Sequence, residues 1–121
     1  MNTILINVSF FDVFETGLKV IRVEYDDDYT KIDLGFLYGE KRKNSIKITE
    51  DIIISDYNTK KGLIECIGIN LNEEVKLKSI KDFRYFSLKF EPFESVKKQL
   101  MLTQYNDDFN FIILDITNAK S

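Results

Sequence analysis

The stretch from Ser45 to Asn72 limits the possible folds more than any other part of the 121-residue chain. Ile46, Ile48, Ile52 and Ile54 share one parity. Beyond the loop Asn58-Thr59-Lys60-Lys61-Gly62, Leu63, Ile67, Ile69 and Leu71 resume a period of two. That period is the repeat of a strand with one face on a core. Two such runs around a short polar loop predict a β-hairpin, with Gly62 in the left-handed position that closes it. Glu50 interrupts the isoleucine row. A carboxylate on an apolar face is costly to bury unpaired, so a β-bulge around Thr49-Glu50-Asp51 that turns Glu50 to water is expected.

The flanking sequence reads the same way. Ile4, Ile6, Val8 and Phe10 alternate and predict one strand with those four on the core side. Leu18 to Tyr25 predicts a second strand, Asp26-Asp27-Asp28 a turn, and Thr30 to Tyr38 a third strand with Ile32, Leu34, Phe36 and Tyr38 inward. Val75 to Ile80 predicts an edge strand guarded by Lys76, Lys78 and Lys81. In Phe83 to Phe90, Phe86, Leu88 and Phe90 alternate with Tyr85, Ser87 and Lys89, and Pro92 ends the strand. Phe93, Val96, Leu100 and Met101 fit a helical stripe after that proline. One short helix near 93–99 is therefore expected, then a strand from about 100. Asn106-Asp107-Asp108 forms the next turn and Phe109 to Thr117 the last strand.

Eight or nine short strands without a repeat or linker predict one all-β domain over 1–121. The architecture is a small antiparallel β-sandwich or a partly open β-barrel, with α+β as the alternative.

Composition excludes much chemistry. The chain has no histidine, so the commonest general base and metal ligand is missing and no Ser-His-Asp or Cys-His arrangement exists. Cys66 is the single cysteine. It allows no intramolecular disulfide, reads as an inert buried thiol, and points to a reducing, cytoplasmic setting. No apolar run reaches membrane-span length, and Met1-Asn2-Thr3-Ile4 lacks the basic start of a secretory signal. Lys and Arg number 17 against 20 Asp and Glu, a formal charge of −3 that argues against nucleic acid or an anionic membrane as partner.

Three groups remain as site candidates. Asp26, Asp28, Asp107 and Asp108 would supply calcium oxygens if their two turns met at one end of a sandwich. The alternative is that Asp and Asn simply suit turns. The basic groups Lys41-Arg42-Lys43, Lys60-Lys61 and Lys97-Lys98 read as solvated turns. Tyr25, Tyr29, Tyr38, Tyr57 and Tyr105 fall at or near predicted strand ends, and tyrosine suits recognition patches through its area and polar tip.

By elimination the sequence reads as a non-enzymatic module that occludes a protein partner, in the manner of a toxin-immunity protein or a phage-encoded inhibitor, without cofactor. The alternatives are a subunit of a symmetric assembly such as a virion or tail component, pairing through edges near Val75–Ile80 and Ile4–Phe10, or a calcium- or ligand-binding β-sandwich.

Overall fold

The computed structural model describes residues 2–6, 8–12 and 15–104, and the backbone of 111–115. Eleven strands follow in chain order: β1 (Thr3–Ile6), β2 (Ser9–Asp12), β3 (Leu18–Tyr25), β4 (Thr30–Leu37), β5 (Ser45–Lys47), β6 (Ile53–Ser55), β7 (Lys60–Ile67), β8 (Glu74–Lys76), β9 (Phe83–Phe90), β10 (Gln99–Thr103) and β11 (Phe111–Asp115). Nine join in the order β1-β3-β4-β9-β7-β6-β10-β11-β2, every pair antiparallel, while β5 and β8 form a separate two-stranded sheet.

Chain connectivity shows how the large sheet curls. β1 and β2 stand at opposite ends of the strand order but are two residues apart in sequence. Three Cα–Cα steps span at most ~11 Å. The sheet must therefore bend round until its ends nearly meet, and β2 does approach β3 without a ladder between them. β7 makes the matching corner on the far side: Lys60–Gly62 pair with β6, and Leu63–Ile67 pair with β9. The result is an all-β, partly open barrel, flattened like a sandwich.

One hydrophobic core fills it. Val23, Ile32, Leu34, Phe36, Leu88 and Phe90 come from one wall, and Ile54, Leu100 and Leu102 from the other, all 0–1% exposed. Ile46 and Val75 plug it from the small sheet.

Several expectations need correction. The first strand is broken into two, and only its β1 part reverses the predicted parity: Leu5 is buried and Ile4 and Ile6 are exposed, whereas Val8 is buried and Phe10 packs against the core as expected. The long hairpin is three strands. β5 leaves it to pair with β8, and a turn closed by Ile52 N–H to Thr49 C=O separates β5 from β6. Glu50 sits on this turn and points to solvent, so a turn does the work assigned to a bulge. Buried Gln104 holds the turn by accepting from Thr49 N–H at 2.6 Å and donating to Lys47 C=O at 3.0 Å. Gly62 is an ordinary β7 residue opposite Ile53; the β6–β7 turn is Asp56–Thr59, closed by Asp56 N–H to Thr59 C=O.

No helix forms near 93–99, which also removes the α+β alternative among the described residues. Helical geometry would need main-chain N–H groups to meet carbonyls four residues back. Instead Lys97 N–H, whose helical acceptor would be Phe93 C=O, donates to the Tyr25 hydroxyl at 3.3 Å, and Phe93 N–H donates to Thr30 Oγ1 at 3.3 Å. The apolar stripe also fails, since Phe93 and Leu100 are buried while Val96 and Met101 are exposed.

Candidate protein-interaction surface

The outer face of the β3–β4–β9–β7 wall should be polar by the alternation that fills the core. One end of it is. Glu24, Lys31, Lys89 and Glu65 lie in one cross-strand row. Lys89 pairs with Glu65 at 3.7 Å and stands over the Tyr29 ring at 4.5 Å. In the next row Asp33 accepts from Arg22 Nε at 2.7 Å and from Ser87 Oγ at 2.6 Å, with Lys31 Nζ 3.7 Å away. These charges are satisfied within the sheet.

Beyond Asp33 the face turns largely apolar, although exposed Lys19 of β3 lies on it opposite Gly35. A β-bulge between Val20 and Arg22 makes Ile21 and Arg22 consecutive outward residues. Gly35, two residues beyond Asp33 on β4, pairs with Tyr85. Having no side chain, Gly35 leaves a gap that its neighbours fill: a Cβ built there would lie 3.4 Å from both Ile21 Cδ1 and Tyr85 Cε1. Phe83 meets Tyr85 edge-on, with ring centroids 5.2 Å apart. Ile67 on β7 pairs with Ser87, which puts it diagonal to Tyr85. Ile21, Ile67, Phe83 and Tyr85 remain 42–61% exposed. Scattered exposed apolar residues need no explanation, but a contiguous group on one sheet face marks an interaction surface.

The tyrosines singled out from the sequence take other places. Tyr25 is a core residue, and burial pushes its hydroxyl up to about 12, partly opposed by the Lys97 N–H it accepts. Tyr29 lies under Lys89, and Tyr38 is half-buried against the core beyond the opposite end of β4. Tyr57 is 89% exposed, and its hydroxyl donates to Gln99 Oε1. Together with Met101 it lines a recess of about 160 Å³. Tyr105 lies outside the described residues. Tyr25 and Tyr57 thus flank segment 97–99, but no common tyrosine patch forms among the described residues.

The Asp26 carboxylate is engaged locally, accepting from Asp28 N–H within the turn that leads to Tyr29. Asp107 and Asp108 lie outside the described residues. Among the described residues no group of three or more acidic or cysteine side chains is arranged to hold a metal. Cys66 is half-buried rather than buried; burial raises its thiol pKa, and its Sγ lies 3.6 Å from Ile69 C=O.

The apolar face was partly legible in the sequence. The inward set of β3 changes parity, from Leu18 and Val20 to Val23 and Tyr25, and that change is the signature of the bulge at Ile21. Tyr85 falls on the outward parity of a strand whose inward parity already holds Phe86, Leu88 and Phe90. Among the described residues no helix is long and apolar enough to cross a membrane. The chain matches no family model, no curated protein and no solved structure.

Proposed function

We propose that this protein is a non-enzymatic binding module that occludes a protein partner in the cytoplasm, and that the outer face of the β3–β4–β9–β7 wall is its contact surface. One observation carries the reading. Four large apolar side chains, Ile21, Ile67, Phe83 and Tyr85, lie together and exposed where strand alternation calls for polar residues. The charged rows beside them hold ion pairs of Asp33 with Arg22 and Lys31 and of Lys89 with Glu65, while exposed Lys19, opposite Gly35, offers one ammonium group for a partner carboxylate to meet. Two exposed aromatic rings in it, Phe83 and Tyr85, are of residue types enriched at protein interfaces. A protein with one half-buried thiol is compatible with a reducing compartment.

Affinity capture from cells of the source organism tests the reading, with wild type and the Ile67→Lys/Tyr85→Lys variant as parallel baits. Wild type is expected to retain one protein in stoichiometric amount, and the variant to lose it while unfolding cooperatively as wild type does. Equal retention by both baits, or no stoichiometric protein on wild type, would remove this surface from consideration.

A further inference from the structure

The small sheet has an edge that no described strand covers. β8 pairs with β5 through Ser45↔Lys76, Ile46↔Val75 and Lys47↔Glu74, and the same register continues to Leu77, whose N–H donates to Asn44 C=O at 2.8 Å. Hydrogen-bonded pairs in an antiparallel ladder recur every second residue. Leu77 opposite Asn44 is such a pair, so Val75 opposite Ile46 is another. The main-chain N–H and C=O groups of Glu74 and Lys76 therefore turn away from β5. Glu74, Val75 and Lys76 also line an open cleft of about 550 Å³, together with Glu65, Cys66 and Ile67. An unpaired edge of this kind is a template for another strand.

The side chains specify which strand fits. Val75 faces the core, while Glu74 and Lys76 project outward and bridge each other at 3.2 Å, both well exposed. An antiparallel mate of the same sequence, centred on Val75, sets Glu74 opposite Lys76 of the second copy and Lys76 opposite its Glu74. Those two pairs are also the ones whose free main-chain groups face outward, so backbone parity and charge select the same register. A two-fold contact demands a patch complementary to itself, and Glu-Val-Lys read antiparallel to itself meets that demand.

We infer that β8 is the edge through which two copies of this chain pair, joining their small sheets into one of four strands in the order β5-β8-β8-β5. This contact is separate from the apolar face above; of that face only Ile67 borders the cleft. A three-residue ladder is far smaller than a standard interface, so the dimer is weak, with a Kd on the order of 10–100 µM.

Charge reversal provides the test, read by sedimentation equilibrium from ~1 µM to ~1 mM, which brackets that affinity. Wild type is expected to pass from monomer to dimer. Glu74→Lys sets like charges opposite each other at both pairs, as does Lys76→Glu, and each variant alone is expected to associate at least ~10-fold more weakly. An equimolar mixture of the two variants sets opposite charges at every pair and is expected to regain wild-type association. Regain by mixing also shows that both variants are folded. Alkylation of Cys66, which lines the cleft, is expected to slow as the wild-type dimer fills. A wild type that stays monomeric throughout, single variants that dimerise as wild type does, or a mixture that stays monomeric would each overturn the inference. So would a dimer abolished by Ile67→Lys/Tyr85→Lys but indifferent to charge reversal.

Discussion

Asp56 shows how much of this fold rests on single side chains in turns. Its carboxylate accepts from Asn58 N–H at 2.8 Å, Thr59 N–H at 2.6 Å and Thr59 Oγ1 at 3.0 Å, and Lys97 Nζ stands 3.5 Å away. The main-chain donors Asn58 and Thr59, in that order, bring its pKa down to about 2. An unfolded Asp titrates near ~3.9. The folded state therefore gains stability from ionised Asp56 above that pH, and loses it as pH falls through about 2. Asp56→Ala is expected to lower Tm at neutral pH. The Tm gap to wild type should stay flat above about pH 5 and shrink as pH drops toward about 2, in thermal melts across that range. Lys97 connects this turn to the core, because its N–H binds Tyr25 while its ammonium group faces Asp56 and lies 5.6 Å from the centre of the Phe93 ring. The Lys97 N–H is the group that a helix over 93–99 would have turned back on Phe93 C=O, and its bond to Tyr25, 72 residues away, is not visible in local sequence.

At the level of elements, the irregular positions decide what each strand presents. The bulges in β3 and β7 each put two consecutive residues on the outer side, Ile21 with Arg22 and Ile64 with Glu65. Gly68 ends β7 with φ near +102°, and a Cβ there would lie 2.7 Å from the Tyr85 carbonyl oxygen. Gly62 lies in the same strand at a permitted φ, and its nearest neighbour is the exposed Glu91 carboxylate, 3.3 Å from a built Cβ. Gly68→Ala is accordingly expected to cost about 1–3 kcal/mol or more, and Gly62→Ala less than about 1 kcal/mol, in urea unfolding of the two variants. The sequence pointed to the wrong glycine. Position beside a polar loop suggested Gly62, whereas the left-handed backbone is at Gly68, where the chain leaves β7 close beside Tyr85 and Phe86 of β9.

For the whole molecule the critical place is the seam between β1 and β2. Val8 is 6% exposed and lies where the chain crosses from the β3 side of the sheet to the β11 side. An unpaired carboxylate there would be buried in the core cluster, and Val8→Asp is expected to cost ~3 kcal/mol or more. That is a large share of the ~5–15 kcal/mol that holds a small domain together. Ile6→Asp, two residues earlier at an exposed position opposite Arg22, should leave stability within ~0.5 kcal/mol of wild type. A comparable loss from both substitutions, in denaturant titration, would show that the seam has no special role.

Sequence alone determined the strand character of the chain and the inward sets of β4 and β9. A period of two can be read locally, and burial on one face enforces it. It also determined the exclusions that follow from having no histidine and one cysteine. Tertiary structure decided the rest. β5 leaves its predicted hairpin because Val75 and Ile46 cover the core together, and Ile4 and Ile6 face outward because the sheet closes on Leu5 and Val8. The candidate surface exists only once Gly35 and Tyr85 meet across two strands about fifty residues apart in sequence, with the Ile21 bulge beside them. Cross-strand register is a long-range property, fixed by which residues share one core, and no local pattern encodes it.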